Sequence, residues 1–418
     1  MNTERCTILE SDLLSIQQEI ATVSAGWEEP TGNLQGDLQN EALVQPAVAA
    51  LQSGGKRVRP LLCLWAFRNL AKDFSRPIFS QAAAACTSTH AKSGVPPVEF
   101  GFGQCALRVG VATEVLHAGS LIIDDIQDGS LTRRGAPTVH RKVGVAMAIN
   151  IGNWMYFKAM ELLREQDLHA DAVSLMSRCH FGQSLDLVTS RPEIAKHVLR
   201  HAAQDLAELY SRIARNKTAE LMTFGVLSVL KVSFQVPQGE LMTQYASLLE
   251  RYGLLFQKVD DLQNLSTSLS ADKAKEDLSG MRNIVVIQML SSMNSIERAE
   301  FLSQLFQEHS ALYVASHPLF LPALQQTVSQ LHAEIATANQ EAQLICSSIE
   351  SEVYFKKTIH DPLVRLVKQV EEEFMHSKKL HEACHLKPHT FGIEGDTTNP
   401  FTHAAHLSAM NSPEREVE

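Results

Sequence analysis

The sequence predicts an all-α protein folded as one large helical bundle. From about residue 40 to residue 375, apolar residues recur at three- and four-residue spacing, as in EALVQPAVAALQSG, ALRVGVATEVLHAGSLIIDDI and ELMTQYASLLERYGLLFQKVDDL. Alternating strand patterns between turn signals are nearly absent. The breaks in the pattern are helix-ending combinations: Ser53-Gly54-Gly55, Gly129-Ser130, Arg191-Pro192 and Val236-Pro237-Gln238-Gly239. With 418 residues, 44% of them apolar, the chain can bury a sizeable core.

In chain order, residues 1–40 hold one weakly amphipathic helix and then a Gly/Pro/Asn/Glu-rich segment. They are expected to form a partly disordered extension. The main domain is expected over residues 41–375, interrupted near residues 87–103 (TSTHAKSGVPPVEFGFG) by a stretch that reads as a loop or insertion. Residues 376–418 read as a disordered tail. Its histidines, His376, His381, His385 and His389, are irregularly spaced and read as solvated rather than metal-binding. No internal repeat of fixed period is present.

A net charge of −10 argues against nucleic acid as the main partner, so any phosphate-binding cations must be local. No run of about 18 or more apolar residues marks a membrane span. The start, MNTERCTILESDLLSIQQ, has no apolar core before a small-residue cleavage site, so a secretory signal is not expected and the cytoplasm is the default location. The seven cysteines are scattered, without C-x-x-C spacing, and read as buried reduced thiols.

Two acidic pairs carry the chemistry. Asp-Asp-Ile-Gln-Asp spans residues 124–128, Asp-Asp-Leu-Gln-Asn spans residues 260–264, and each sits inside an apolar helical run. Burying adjacent carboxylates is costly unless a cation compensates them. On a helix Asp124 and Asp128 share a face one turn apart with Asp125 beside them, and Asp260 and Asn264 do the same with Asp261 beside and Gln257 one turn earlier. Facing each other, the clusters would form an oxygen-ligand site for Mg²⁺, the partner of phosphates. Arg133 and Arg134 follow the first cluster, and a guanidinium fork suits phosphate oxygens. A third element, Gly54-Gly55-Lys56-Arg57-Val58-Arg59-Pro60, sets three cations after a glycine pair and lacks the spacing of a nucleotide P-loop.

These pieces resemble the trans-isoprenyl diphosphate synthases, also called polyprenyl synthetases, and among them the eukaryotic-type geranylgeranyl diphosphate synthases. The matching segments are GGKRVRP (54–60), EVLHAGSLIIDDIQDGSLTRRGAPTVH (114–140), INIGNWMYF (149–157), GQSLDL (182–187), NKT (216–218) and GLLFQKVDDLQNL (253–265), in the family's order. The resemblance implies an isoprenoid-synthase bundle around a central apolar cavity, a homodimer, and a requirement for Mg²⁺, three ions in all. Asp124, Asp125 and Asp128 would bind metal from one wall, and Asp260, Asp261 and Asn264 from the other. Arg133, Lys217, Thr218 and Gln257 would touch the allylic diphosphate. Lys56, Arg59, His117 and Arg134 would hold isopentenyl diphosphate. The chain departs from the family after the second motif, where EDLSGMRNIVV sets Arg282 at or near a usual lysine and leaves the match of Lys273 or Lys275 ambiguous.

The implied reaction ionises the allylic diphosphate, and the double bond of isopentenyl diphosphate attacks the cation. Proton loss then leaves a longer linear chain. In the family, residues a turn or more before the first motif limit chain length. Gly119 and Ser120 stand there and, being small, suggest a product longer than farnesyl, with Trp154, Met155 or Phe157 as a deeper floor. A terpene synthase that cyclises an allylic diphosphate on the same fold is the alternative, and it would have no need of the isopentenyl clasp. A non-catalytic partner subunit would be expected to lose acidic ligands, whereas this chain keeps five carboxylates in the two motifs.

Overall fold

A computed structural model of the chain describes residues 7–76, 78, 97–265, 278, 280–307 and 310–385. Contacts divide the chain into two units, Met1–Glu373 and Phe374–Glu418, and the bundle is the first. Helices of eight residues or more are α1 Thr7–Ala25, α2 Gln45–Gln52, α3 Val58–Ala71, α4 Pro97–Gln127, α5 Val145–Arg164, α6 His169–Thr189 and α7 Ala203–Ala214. They continue as α8 Glu220–Phe234, α9 Glu240–Asn264, α10 Ile284–Ser292, α11 Ser295–Leu305, α12 Phe320–Ile345 and α13 Asp361–His385. The all-α expectation holds. Among the described residues, the strands form one two-stranded hairpin, Thr132–Arg133 against Ala136–Pro137.

Helix α4 is the axis of the bundle, packed against α3, α5 and α8. Its segment Gly103–Gln127 is long and apolar enough to cross a membrane by length and composition, which the expectation of no span did not foresee. That segment is spent inside the protein: Leu107, Val111, Val115 and Leu116 are each at most 1% exposed. A helix apolar on most faces is what a core position demands. Helix α5 approaches α4 through two glycines. A Cβ on Gly119 would lie 2.9 Å from the Gly152 carbonyl oxygen, and one on Gly152 would lie 2.8 Å from Ile123 Cδ1.

Two boundaries differ from the sequence reading. Residues 97–103, expected within a loop, are the first turns of α4, because a proline is at home in the first turn of a helix; residues 87–96 lie outside the described residues. At the other end α13 runs through His385, past the expected boundary at 375. The N-terminal helix is no loose extension either. It packs on α3 and α4 and buries Asp12, Ile16, Glu19 and Ile20. Cys63, Cys105, Cys179 and Cys346 are free thiols.

Candidate active site

The first acidic motif closes α4. Gly129, at φ +65°, ends the helix in the left-handed region, and Ser130 N–H donates to the Asp125 carbonyl at 2.9 Å. Asp124 then faces Lys217 Nζ at 3.2 Å and Arg133 Nη2 at 3.7 Å, and accepts from Gln183 Nε2 at 3.1 Å. Asp128 accepts from Arg282 Nη1 at 3.0 Å. Burial alone would raise the Asp124 carboxyl, but Lys217 and Arg133 bring it below its ordinary value. Burial, and then the like charge of Asp124, push Asp128 above it. Asp125 points elsewhere: it is 3% exposed and receives Arg133 Nε at 2.8 Å and Nη2 at 2.7 Å.

Lys217 and Thr218 stand on a π-helical turn, Arg215–Ala219, between α7 and α8. Such turns concentrate at functional sites because the extra residue redirects side chains. Two glycines let neighbouring helices close on it: a Cβ on Gly182 would lie 2.5 Å from Asn216 Cβ, and one on Gly253 would lie 2.3 Å from Ala219 Cβ. Lys217 Nζ also reaches Asp186 Oδ2 at 2.9 Å, and burial is outweighed by Asp124 and Asp186, which hold its ammonium firmly charged.

The second motif ends α9, and its neighbours differ in role. Asp260 is exposed. Asp261 is 4% exposed and accepts from Tyr210 Oη at 2.7 Å, Gln257 Nε2 at 2.9 Å and the Ile284 N–H at 2.9 Å. Burial first and then Asp261 hold the Tyr210 phenol well above its ordinary value, so it stays a donor. Thr218 Oγ1 donates to Gln257 Oε1 at 2.7 Å, and Asn264 is buried at 6% exposure. Asp125 and Asp261, both expected as metal ligands, are thus committed to protein partners. Lys273 lies outside the described residues, as does Lys275.

A second group of cations gathers above α4. Arg134 and Gly135 form the turn of the hairpin with φ +54° and +78°, the left-handed pair a two-residue turn requires. This turn delivers Arg134 to the glycine pair, where its guanidinium donates to the Gly54 carbonyl. A Cβ on Gly55 would lie 2.8 Å from Arg134 Nη2, so the missing side chain makes the room. Arg57 ties the loop down through Glu114 at 2.6 Å and the Leu51 carbonyl at 2.7 Å. Lys56 on the same loop is exposed, while Arg59 keeps a buried Nε with no hydrogen-bond partner. Burial, followed by Arg59, Arg134, Arg133 and Arg57, holds His117 well below the ordinary imidazole value. Of those four guanidinium groups, Arg57 is paired with Glu114 and Arg133 with Asp125, which leaves Arg59 and Arg134 as the cations there not engaged by a carboxylate.

The residues expected to bear on chain length divide: Met155 is buried against Gly119, and Ser120, Trp154 and Phe157 face elsewhere. Gly119 faces α5, where a Cβ would meet Met155 Cβ and Tyr156 Cδ1, each at 3.2 Å, and Ser120 Oγ turns back to the His117 carbonyl at 2.8 Å. The smallness of Gly119 therefore serves helix packing. Phe157 is 68% exposed and is no floor, and Trp154 stacks edge-on against Trp27 at 5.3 Å. Tyr156, not singled out by the sequence, lies beneath the first motif and meets His180 edge-on at 5.8 Å. Also missed were Gln183 and Asp186. Their signal was present in GQSLDL, where the two polar residues stand three apart on one helical face.

Among the described residues, no three Asp, Glu, His or Cys side chains converge closely enough to hold a metal by themselves. The arrangement is instead one acidic helix end met by Lys217, Arg133 and Arg282, with Arg134 and Lys56 on the neighbouring loops and a further carboxylate, Asp260, on α9. The polyprenyl synthetase family model matches residues 40–313. A geranylgeranyl pyrophosphate synthase of Aspergillus flavus is 30% identical over 275 residues, 62% of this chain and 74% of that protein. Another from Penicillium janthinellum is 35% identical over 180 residues, covering 41% of this chain and 45% of that protein. The crystal structure of a geranylgeranyl pyrophosphate synthetase from Pyrococcus horikoshii covers 87% of this chain and 97% of its own, with a TM-score of 0.61 at 20% identity, which shows the fold. The chain belongs to the polyprenyl synthetase family.

Proposed function

We propose that this protein is a Mg²⁺-dependent trans-prenyltransferase that joins isopentenyl diphosphate to an allylic diphosphate and makes geranylgeranyl diphosphate. The observation that carries it is a second set of cations, Lys56, Arg59 and Arg134, brought together by the glycine-pair loop and the hairpin turn and engaging neither acidic motif in an ion pair. An enzyme that only ionises and cyclises one allylic diphosphate needs the cations at the acidic motif and not this second set. The relatives named as geranylgeranyl pyrophosphate synthases support the twenty-carbon product.

Hard carboxylate oxygens suit Mg²⁺, and Asp124 and Asp128 are held by displaceable cations. These two, with Asp260 from the second motif, would hold the metal, and Asp125, Asp261 and Asn264 frame the two motifs. When bound, the metal neutralises the diphosphate as it leaves. Lys217, Arg133 and Arg282 add charge at the same end, while Thr218 and Gln257 hold the π-turn against α9. Arg59, Arg134, Lys56 and His117 fix the second diphosphate so that its double bond meets the allylic carbon. Exposed Val145, Ile149 and Phe157 on α5 support a homodimer.

The test is product analysis with Mg²⁺, isopentenyl diphosphate and dimethylallyl, geranyl or farnesyl diphosphate, with extracts compared before and after phosphatase. The expected product is a linear C20 alcohol seen only after phosphatase. A hydrocarbon or cyclic alcohol formed without isopentenyl diphosphate would establish the cyclase instead.

A further inference from the structure

Asp186 lies outside both acidic motifs, on α6, and is 7% exposed. Its Oδ2 accepts from two cations at once, Lys217 Nζ at 2.9 Å and Arg282 Nη2 at 3.2 Å. A buried carboxylate requires compensation. Here one carboxylate bridges two cations, and with Asp124 and Asp128 on their other sides the group holds three carboxylates and two cations.

Each cation also has a partner in the first motif: Lys217 reaches Asp124 at 3.2 Å, and Arg282 reaches Asp128 at 3.0 Å. Those are the carboxylates a divalent cation would claim. Once they are claimed, Asp186 is the partner left to both cations, and it keeps two like charges side by side against their repulsion. Arg282 itself stands in a segment tied at both ends. The Met281 N–H donates to the Thr189 carbonyl of α6 at 3.1 Å, and Asn283 Nδ2 donates to the Asp261 carbonyl of α9 at 2.9 Å. Its two terminal nitrogens then reach different helix ends, Asp128 after α4 and Asp186 on α6, in the fixed geometry of a guanidinium fork.

We infer that Asp186 is a positioning residue: it holds Lys217 and Arg282 together at the mouth of the cleft so that both meet the diphosphate that leaves the allylic substrate. Arginine at position 282 is the second half of the device, tying the segment after the second motif to the first. The inference rests on the prenyltransfer reading for its substrate, and inorganic pyrophosphate with Mg²⁺ probes it without turnover.

The experiment compares the full chain with Asp186→Asn, Asp186→Glu and Arg282→Lys by calorimetry with Mg²⁺ and pyrophosphate, and by steady-state kinetics in both substrates. Asp186→Asn is expected to weaken pyrophosphate about tenfold and to raise the allylic KM similarly, the effect of one charged hydrogen-bond partner. The KM for isopentenyl diphosphate should change less than about twofold, since the cations around His117 do not depend on Asp186. Asp186→Glu should recover most of the affinity, and Arg282→Lys should fall between. Unchanged pyrophosphate affinity in Asp186→Asn overturns the inference, as does an equal rise in both KM values. Failure of the unmutated chain to elongate a primer, with pyrophosphate still weakened by Asp186→Asn, would sink the prenyltransfer reading and leave the positioning role standing.

Discussion

Asp260 and Asp261 are neighbours in sequence with unlike surroundings, and the difference separates chemistry from framework. Asp261 receives a phenol, a carboxamide and a backbone N–H, and its carbonyl receives Asn283, so it pins α10 and α7 to the end of α9. Asp260 is exposed at that same helix end. Asp261→Asn is therefore expected to lower stability by about 3 kcal/mol, because an amide replaces an acceptor of charged hydrogen bonds and leaves a donor facing donors. Asp260→Asn should leave the unfolding free energy within about 0.5 kcal/mol of the unmutated chain, as exposed changes do. Its turnover should drop by more than about a hundredfold, beyond the loss typical of a group that only supports a metal ligand. Denaturant unfolding and steady-state rates on the same two variants check both halves. A stable Asp261→Asn protein would show that this carboxylate is not framework.

At the scale of elements, α1 is the helix whose role the sequence least reveals. Its buried face carries two acids, Asp12 and Glu19, both 0% exposed, so the apolar stripe that announces a packed helix is interrupted. The partner of Asp12 is Arg68, 56 residues away, which donates from Nε at 2.8 Å and Nη2 at 2.7 Å, while Tyr354 Oη adds a third donor at 2.8 Å. Asp12→Ala leaves a buried guanidinium without its counter-charge and is expected to cost about 3–5 kcal/mol. Asp12→Ala with Arg68→Met should recover much of that, since an apolar pair of similar volume replaces the ion pair well. Unfolding midpoints of the two proteins decide the matter, and equal losses in both would place the stabilisation elsewhere. The same reasoning sets what was legible. The acidic clusters, α4, α9 and the cationic loop announce themselves because their periodicity and residue types are local. The anchoring of α1, the π-turn beneath Lys217 and the pressing of α5 against Gly119 depend on partners far along the chain, and no local pattern encodes them. Tyr156 was hidden for the same reason, ordinary in its own segment and specific only in its neighbours, whereas Asp186 left a local trace in GQSLDL.

For the whole molecule, the unspent surface is the outer face of α5 and α6. Val145, Ile149 and Phe157 are 51%, 42% and 68% exposed and recur at multiples of four residues on α5. On the adjacent α6, Val173 and Phe181 are 60% and 49% exposed. Single exposed apolar side chains are ordinary, but three recurring along one helix mark a candidate interaction face, while Phe181 lies under the Arg212 guanidinium at 5.5 Å. A twofold pairing covers such a patch with its own copy. The same two helices support the site from behind: α5 backs α4 through Gly119 and Gly152, and α6 carries Gln183 and Asp186. Pairing through this face would therefore stiffen the cleft. Light scattering at micromolar concentration is expected to give twice the 46.2 kDa of the chain. Phe157→Glu, which sets a charge at the most exposed apolar position of the patch, should shift the mass to the single chain. Because Phe157 points to solvent and makes no part of the core, the variant should keep its helical content, so a lost dimer is separable from a lost fold. A single-chain mass for the unmutated protein would reject the pairing and leave the patch to a different partner.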